Sequence, residues 1–190
     1  MIYETIVTTC SAQGEVHIAP FGVQWSNGKV VISPYKPSAT LQNILDTRHA
    51  VLNLTDDVRI FAAAIAKKSP FATQEIAPGC VRLQDCLTHH VLKLDEMEED
   101  EVRPRLTMTV VESALHGPFM GFNRAQAAVI ELAVLVSRLH MLPIEKVNQE
   151  MQYLQIAIDK TAGERELEAW QWLVDTINNY IARQSGLQQA

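Results

Sequence analysis

The spacing of apolar residues changes once along the chain. Up to about Leu115 the apolar positions mostly alternate, the period of half-buried strands; from Asn123 onward they recur every three or four residues, the period of helices. His17–Trp25 shows the first pattern: His17, Ala19, Phe21, Val23 and Trp25 form one mostly apolar face, with Gly22 and Gln24 on the other. Ser26-Asn27-Gly28 follows, then Lys29–Ser33, so Asn-Gly between two strands predicts a tight hairpin. Pro34-Tyr35-Lys36-Pro37 ends the strand. Ser38 then caps a predicted helix from Ala39 to Thr47, with Leu41, Ile44 and Leu45 on one side. Ala50–Thr55 returns to strand, with Ala50, Leu52 and Leu54 opposite Val51, Asn53 and Thr55. An Ala-rich helix is expected over Val58–Lys67, ended by Ser69-Pro70. Two long strands are expected at Val81–Leu94 and Arg105–Leu115, with the acidic run Asp95–Glu101 as a solvated loop between them.

Asn123-Arg124-Ala125-Gln126 has the form of a capping box and opens a helix to about His140. That helix is apolar nearly all round, so it needs cover on most sides, part of it expected from a second subunit. Pro143 sits at a plausible first helical position for a helix reaching Asp159. Thr161-Ala162-Gly163-Glu164 opens a last helix ending near Gln184-Ser185-Gly186. The expected organisation is a barrel-forming part over residues 1–118 and a three-helix unit over residues 119–190.

Composition narrows the class. The chain has 190 residues, 47% hydrophobic and 20% charged, which suits a globular protein and excludes a disordered or collagen-like one. Its 16 Lys+Arg against 22 Asp+Glu give a net charge of −6, the wrong sign for a nucleic-acid partner. There is no apolar run long enough for a membrane span, and Met1–Cys10 has no basic segment leading into an apolar core. The three cysteines, Cys10, Cys80 and Cys86, are odd in number, and reduced thiols in a cytoplasmic protein are the simplest reading.

Motifs for common chemistries are absent: no GxSxG elbow, Walker A loop or GxGxxG occurs. The histidines offer no HxxxH or HExxH, and adjacent His89 and His90 point to opposite faces of a strand, so no metal site is expected. The most informative stretch runs from Ser33 to Asn53. A strand ends in a loop carrying Lys36, Ser38 and Thr40 directly before a helix, and hydroxyls, an ammonium and free helix N–H groups suit a phosphate. The same residues also read as a cap, a solvent-facing threonine and a surface charge.

The order of these features resembles the FMN-binding split-barrel superfamily of flavin reductases and pyridoxamine-phosphate-oxidase-like proteins. It comprises Ala19-Pro20-Phe21-Gly22 on a strand, a hairpin, the Lys/Ser/Thr loop, the Asn43 helix and a strand with Asn53. With GFNRAQAAVIELAVLVSRLHMLP and DKTAGERELEAW, the chain resembles an uncharacterised branch of methanogenic archaea and of bacteria with tetrahydromethanopterin-dependent one-carbon metabolism. The resemblance implies an α+β fold: an antiparallel split β-barrel of Greek-key, flavin-reductase-like form with a C-terminal helical unit. It implies a homodimer with FMN at the subunit interface. Tyr35, Lys36, Ser38 and Thr40 would cradle the FMN phosphate with Asn43 nearby, Lys36 standing where many relatives have arginine. Ala19, Phe21 and Gly22 would lie along the isoalloxazine, and Asn53 would bond the ring or ribityl chain. His116, Asn123 and Arg124 are candidates to reach the partner's site, against readings as loop, helix cap and surface charge. The implied function is a flavin-dependent oxidoreductase in or near tetrahydromethanopterin-linked metabolism; the alternative is a non-catalytic FMN-binding dimer with a structural or redox-sensing role.

Overall fold

The computed structural model describes residues 1–68 and 71–187, without the side chains of Ser26 and residues 185–187. The chain divides into two compact units: Met1–Asp56 with Pro70–Phe119, and Asp57–Ser69 with Met120–Ala190.

The first unit contains a closed barrel. Its strands are β1 (Ile2–Cys10), β2 (Val16–Ser26), β3 (Lys29–Ile32), β4 (His49–Leu54), β7 (Thr88–Glu98) and β8 (Arg105–Leu115). Their order around the barrel is β1-β2-β3-β8-β7-β4, and every neighbouring pair is antiparallel. The predicted Asn-Gly hairpin is present. Asn27 and Gly28 adopt φ of 52° and 72°, the double positive turn whose twist matches two antiparallel strands. The barrel interior is aliphatic: Ile32, Leu52, Leu92, Leu106 and Met108 are wholly buried there, at about 1.5–3 kcal/mol of hydrophobic stabilisation each.

The barrel is split along β2. This strand pairs with β1 over Val16–Gln24, but β3 reaches only Gln24–Ser26, so Val16–Val23 are laddered on one side alone. Helix α1 (Ala39–Thr47) packs on β1, β2 and β4. Ser38 caps it as predicted, its Oγ accepting from the Leu41 N–H at 3.3 Å. Leu41 and Ile44 are buried beneath the helix, whereas Leu45 is exposed.

The expected strand Val81–Leu94 is two strands. Between β6 (Cys80–Leu83) and β7 the chain turns through Gln84–Leu87, and β6 pairs with an unforeseen strand, β5 (Thr73–Ala77). The acidic run also differs from expectation. Asp95–Glu98 continue β7 because cross-strand partners neutralise them: Asp95 accepts from Lys29 and Thr109, and Glu98 lies 3.9 Å from Arg105.

The second unit holds the three helices expected after residue 119, α3 (Arg124–Ser137), α4 (Ile144–Thr161) and α5 (Glu164–Leu187), joined by α2 (Arg59–Ala66). Helix α2, placed with the barrel by the sequence boundary, packs on α3 and α5. Arg59 ties it down, pairing with Asp57 at 2.6 Å and with Glu168 on α5 at 3.2 Å. The apolar α3 is covered largely within the chain: Ala125, Ala128, Val129, Leu132, Ala133 and Val136 are buried in the core shared with α2, α4 and α5. Two capping details change. Glu166, three residues past Gly163, accepts from the Gly163 N–H at 2.9 Å, while Thr161 donates to the Ala157 carbonyl. Gln126 donates to Glu166 instead of closing a box with Asn123.

Candidate functional site

The loop after β3 is fixed by its backbone and by one arginine. The Lys36 N–H donates to the Val102 carbonyl at 2.8 Å, and Arg103 Nε donates to the Ser33 carbonyl at 2.8 Å. The Arg103 guanidinium lies 5.0 Å from the centroid of the exposed Tyr35 ring, a cation–π contact. A groove of about 690 Å³ opens beside this loop, lined by Lys36, Pro37, Ser38, Ala39, Leu41, Gln42 and Leu45. Lys36 Nζ is 2.9 Å from Glu99 Oε2, a pair exposed enough for an incoming anion to compete. The first turn of α1 holds no acidic residue, so its positive end faces no fixed anion of its own.

The other residues predicted for this site are distributed differently. Thr40 is buried instead of facing solvent. Asn43 is buried too, donating from Nδ2 to Thr9 Oγ1 at 3.0 Å, so it fastens α1 to β1. Asn53 is fully enclosed on β4. Its Nδ2 lies within hydrogen-bond reach of Ile6 O, Thr8 Oγ1 and Val51 O, and its Oδ1 accepts from the Leu83 N–H at 2.8 Å. The structure thus gives Asn53 the task of pinning β6 to the barrel, with its amide fully engaged there. Phe21 packs against the barrel interior, and Ala19 shares its face of β2.

Gly22 lines a second cleft, of about 290 Å³, with Ile2, Gln24, Val31, Ser33, Arg103 and Arg105. A Cβ at Gly22 would meet Ile2 Cγ2 at 2.9 Å and Glu4 Oε1 at 3.3 Å, so the glycine admits the side chains of β1. The two arginines of this cleft, and Glu99 beside the first groove, were missed by the sequence reading. The signal available was Arg103-Pro104-Arg105, a stiff cationic tripeptide closing the acidic run.

Three candidates for contact with a second subunit fall in different places. Asn123 caps α3: its Oδ1 accepts from the Ala125 N–H at 2.8 Å, and its Nδ2 donates to the Thr161 carbonyl at 3.0 Å. Arg124 is exposed at the start of the same helix. His116 is exposed just past β8, its Nε2 2.7 Å from Nδ1 of the buried His89. His90 points the other way, towards Trp25 and Ser113, as expected for neighbours on a strand. Burial lowers the pKa of His17, His89 and His90 and raises the thiols of Cys10, Cys80 and Cys86, favouring neutral imidazoles and protonated thiols. Cys86 also lies close to His89 and His116.

No helix among the described residues is long and apolar enough to cross a membrane. An uncharacterized protein of Methanocaldococcus jannaschii is 21% identical over 94% of this chain and 99% of its own length. Among solved structures, an FMN-bound protein of Methanosarcina mazei superposes with a TM-score of 0.79 at 17% identity, covering 92% of this chain and 94% of that one. The styrene monooxygenase flavin reductase of Pseudomonas putida S12 matches with a TM-score of 0.51 at 14% identity, covering 60% of this chain and 81% of that one. The fold is therefore that of the flavin-reductase-like split barrels. Residues 3–117 match the family described as protein of unknown function (DUF447) N-terminal domain, and residues 123–175 match its companion description for DUF447; the chain belongs to the DUF447 family.

Proposed function

We propose that this protein is an FMN-binding flavoprotein that works as an oxidoreductase in a homodimer. The observation carrying this reading is the groove beside Lys36. One ammonium, the Ser38 end of α1 and an otherwise largely apolar lining meet there, which suits a phosphate joined to a less polar body. The FMN-bound state of the Methanosarcina mazei relative, which has the same fold over nearly the whole chain, supports the choice of ligand. The residues present fit the group at its phosphate end. Lys36 exchanges its exposed carboxylate partner for the phosphate, and the rigid Lys36–Val102 and Arg103–Ser33 bonds hold the loop in place.

At the ring end, the one-sided stretch of β2 contributes backbone groups near Ala19 and Gly22, since Phe21 is turned into the barrel. FMN, when bound, supplies reversible hydride transfer at N5, and the chain's task is to bind, orient and shield it. Leu115, at the end of β8, is exposed apolar surface suited to cover by a second subunit. The substrate class suggested by the family resemblance is a pterin or furan intermediate of one-carbon metabolism.

The test is an absorbance spectrum of the purified protein, taken before and after adding FMN and desalting, with light scattering on the same sample. Flavin bands co-eluting with a dimer are expected, followed by bleaching under NAD(P)H or another reductant without oxygen. Retained flavin that no reductant bleaches would replace the enzyme reading with the non-catalytic module. A protein that releases all added FMN would overturn both.

A further inference from the structure

A second constellation lies apart from the groove, in the same unit. Cys86 sits in the turn between β6 and β7, His89 is the second residue of β7, and His116 directly follows β8. The ligand atoms of these three side chains all lie within 4.8 Å of one another. Their backbones are tied together: the Leu87 carbonyl accepts from the His116 N–H at 2.7 Å and the Gly117 N–H at 3.1 Å, and the Leu87 N–H donates to the Leu54 carbonyl at 2.8 Å. The cluster is thus built on short side chains over a fixed frame.

Two details show unmet coordination capacity. His89 Nδ1 and His116 Nε2 face each other at 2.7 Å, with the rings near-parallel at 14°. Only one proton fits between two such nitrogens, so one ring turns a lone pair towards the other. The second detail is His89 Nε2, which is enclosed without a hydrogen-bond partner in a residue only 3% exposed. With Nδ1 on His116 and Nε2 unpartnered, no hydrogen bond from outside the cluster holds the His89 ring.

We propose that Cys86, His89 and His116 form a mononuclear site for a zinc-class divalent cation, with one position left open to water beside the exposed His116. A borderline-soft thiolate and two imidazoles are the donor set such a cation prefers, and three protein ligands are the number that leaves a position open. Bond lengths typical of zinc place tetrahedral ligand atoms about 3.3–3.6 Å apart, inside the 4.8 Å limit of the cluster. The 2.7 Å imidazole contact opens to that value by a small rotation of His116, which solvent permits.

The proton balance is simple. The Cys86 thiol loses its proton to solvent as the sulfur–metal bond forms, and the proton between the imidazoles moves to the other nitrogen of its own ring. Arg82 acts in two directions. Its Nη1, anchored on the Leu83 and Gln84 carbonyls at 2.7 Å and 2.6 Å, lies 3.9 Å from Cys86 Sγ. It draws the thiol towards thiolate, and it repels the dication, which holds the affinity below that of a site without a guanidinium. Sequence spacing hides this site because Cys86 and His89 meet His116 only through the β7–β8 pairing, which sets His89 against Ala114.

The experiment is a titration of the full reduced chain, with and without FMN, using zinc counted by elemental analysis and cobalt followed by difference spectrum. One metal per chain and a thiolate-to-cobalt charge-transfer band are expected in both preparations. Cys86→Ser should abolish the band. His116→Ala, a change at an exposed side chain, should weaken binding by about 100-fold or more, beyond what loss of an outer-shell partner costs, with the unfolding midpoint read on the same sample. His140→Ala, in the other unit, should change nothing. Substoichiometric metal, a band that survives Cys86→Ser, or equal affinity in His116→Ala and the wild type would each overturn the site, whatever the outcome with flavin.

Discussion

The barrel unit and the helical unit bury polar side chains for different ends. In the barrel unit Thr5, Thr8, Thr9, Thr40, Asn43, Asn53 and His89 are buried, and several of them join separate layers. Asn43 fastens α1 to β1, and Asn53 and Thr8 fasten β6 to β4 and β1. In the helical unit the buried polar residues among those described are Asp57 and Glu166, and both serve helix starts. Asp57 accepts from the Arg59 N–H, and Glu166 from the Gly163 N–H. A core that closes only its helix ends gains its stability from apolar packing. A core that pins accessory elements by directed bonds gains position as well, and those pinned elements, α1 and β6 with the turn after it, carry both candidate sites.

That difference predicts a double dissociation. Leu132, wholly buried on α3, belongs to a core that shares no residue with the barrel interior. Leu132→Ala should cost about 2–5 kcal/mol of stability, read from denaturant unfolding. FMN affinity, measured below the transition, should stay within about two-fold of the wild type, as expected for independent positions. Coupled losses of both would dissolve the contrast.

Lys36→Ala should do the reverse. It removes a charge-assisted partner from the phosphate end of the groove, so FMN binding should weaken by about 1.5–3 kcal/mol, roughly 10- to 100-fold in Kd by equilibrium dialysis. The unfolding midpoint without ligand should barely move, because the ion pair lost with Glu99 is exposed. Unchanged affinity would remove Lys36 from the phosphate site.

Asn53→Ala tests the middle of the comparison, a bond that is polar yet structural. It strands the buried Leu83 N–H, so about 1–3 kcal/mol of stability should be lost. Hydrogen exchange should accelerate first in β5 and β6, the elements Asn53 holds. A loss of flavin affinity larger than the loss of stability would restore the ligand-binding role that the family resemblance implies for this residue.

What the sequence made legible follows from how local each feature is. The Asn27-Gly28 turn, the Ser38 and Asn123 caps and the two faces of β4 each depend on a few adjacent residues, and all are present. The break between β6 and β7 was hidden because Cys86 and Leu87 keep the apolar pattern running through a turn. The strand character of Asp95–Glu98 was hidden because the cations that neutralise it, Lys29 and Arg105, come from β3 and β8. Thr40 and Asn53 look like ligand-facing polar residues in a linear reading. Only the packing of α1 and β6 shows that both point inward. The Arg103–Tyr35 contact and the Cys86–His89–His116 cluster depend on register between distant strands, which no local pattern encodes.

The smallest effect concerns Glu99, which competes with the proposed phosphate for Lys36. An exposed pair of this kind contributes about 0.2–1 kcal/mol, so Glu99→Gln should leave stability almost unchanged. The same energy is released to the ligand, because Lys36 no longer has to give up a carboxylate when an anion arrives. Removing a nearby negative charge acts in the same direction. FMN should bind about two- to five-fold more tightly, with the gain largest at low salt and fading as ionic strength rises. In Lys36→Ala the Glu99 substitution should have a smaller effect, since only the through-space repulsion is left to remove. A full-sized gain in the double variant would mean that Glu99 acts on the flavin site by charge alone, with no part played by the Lys36 pair.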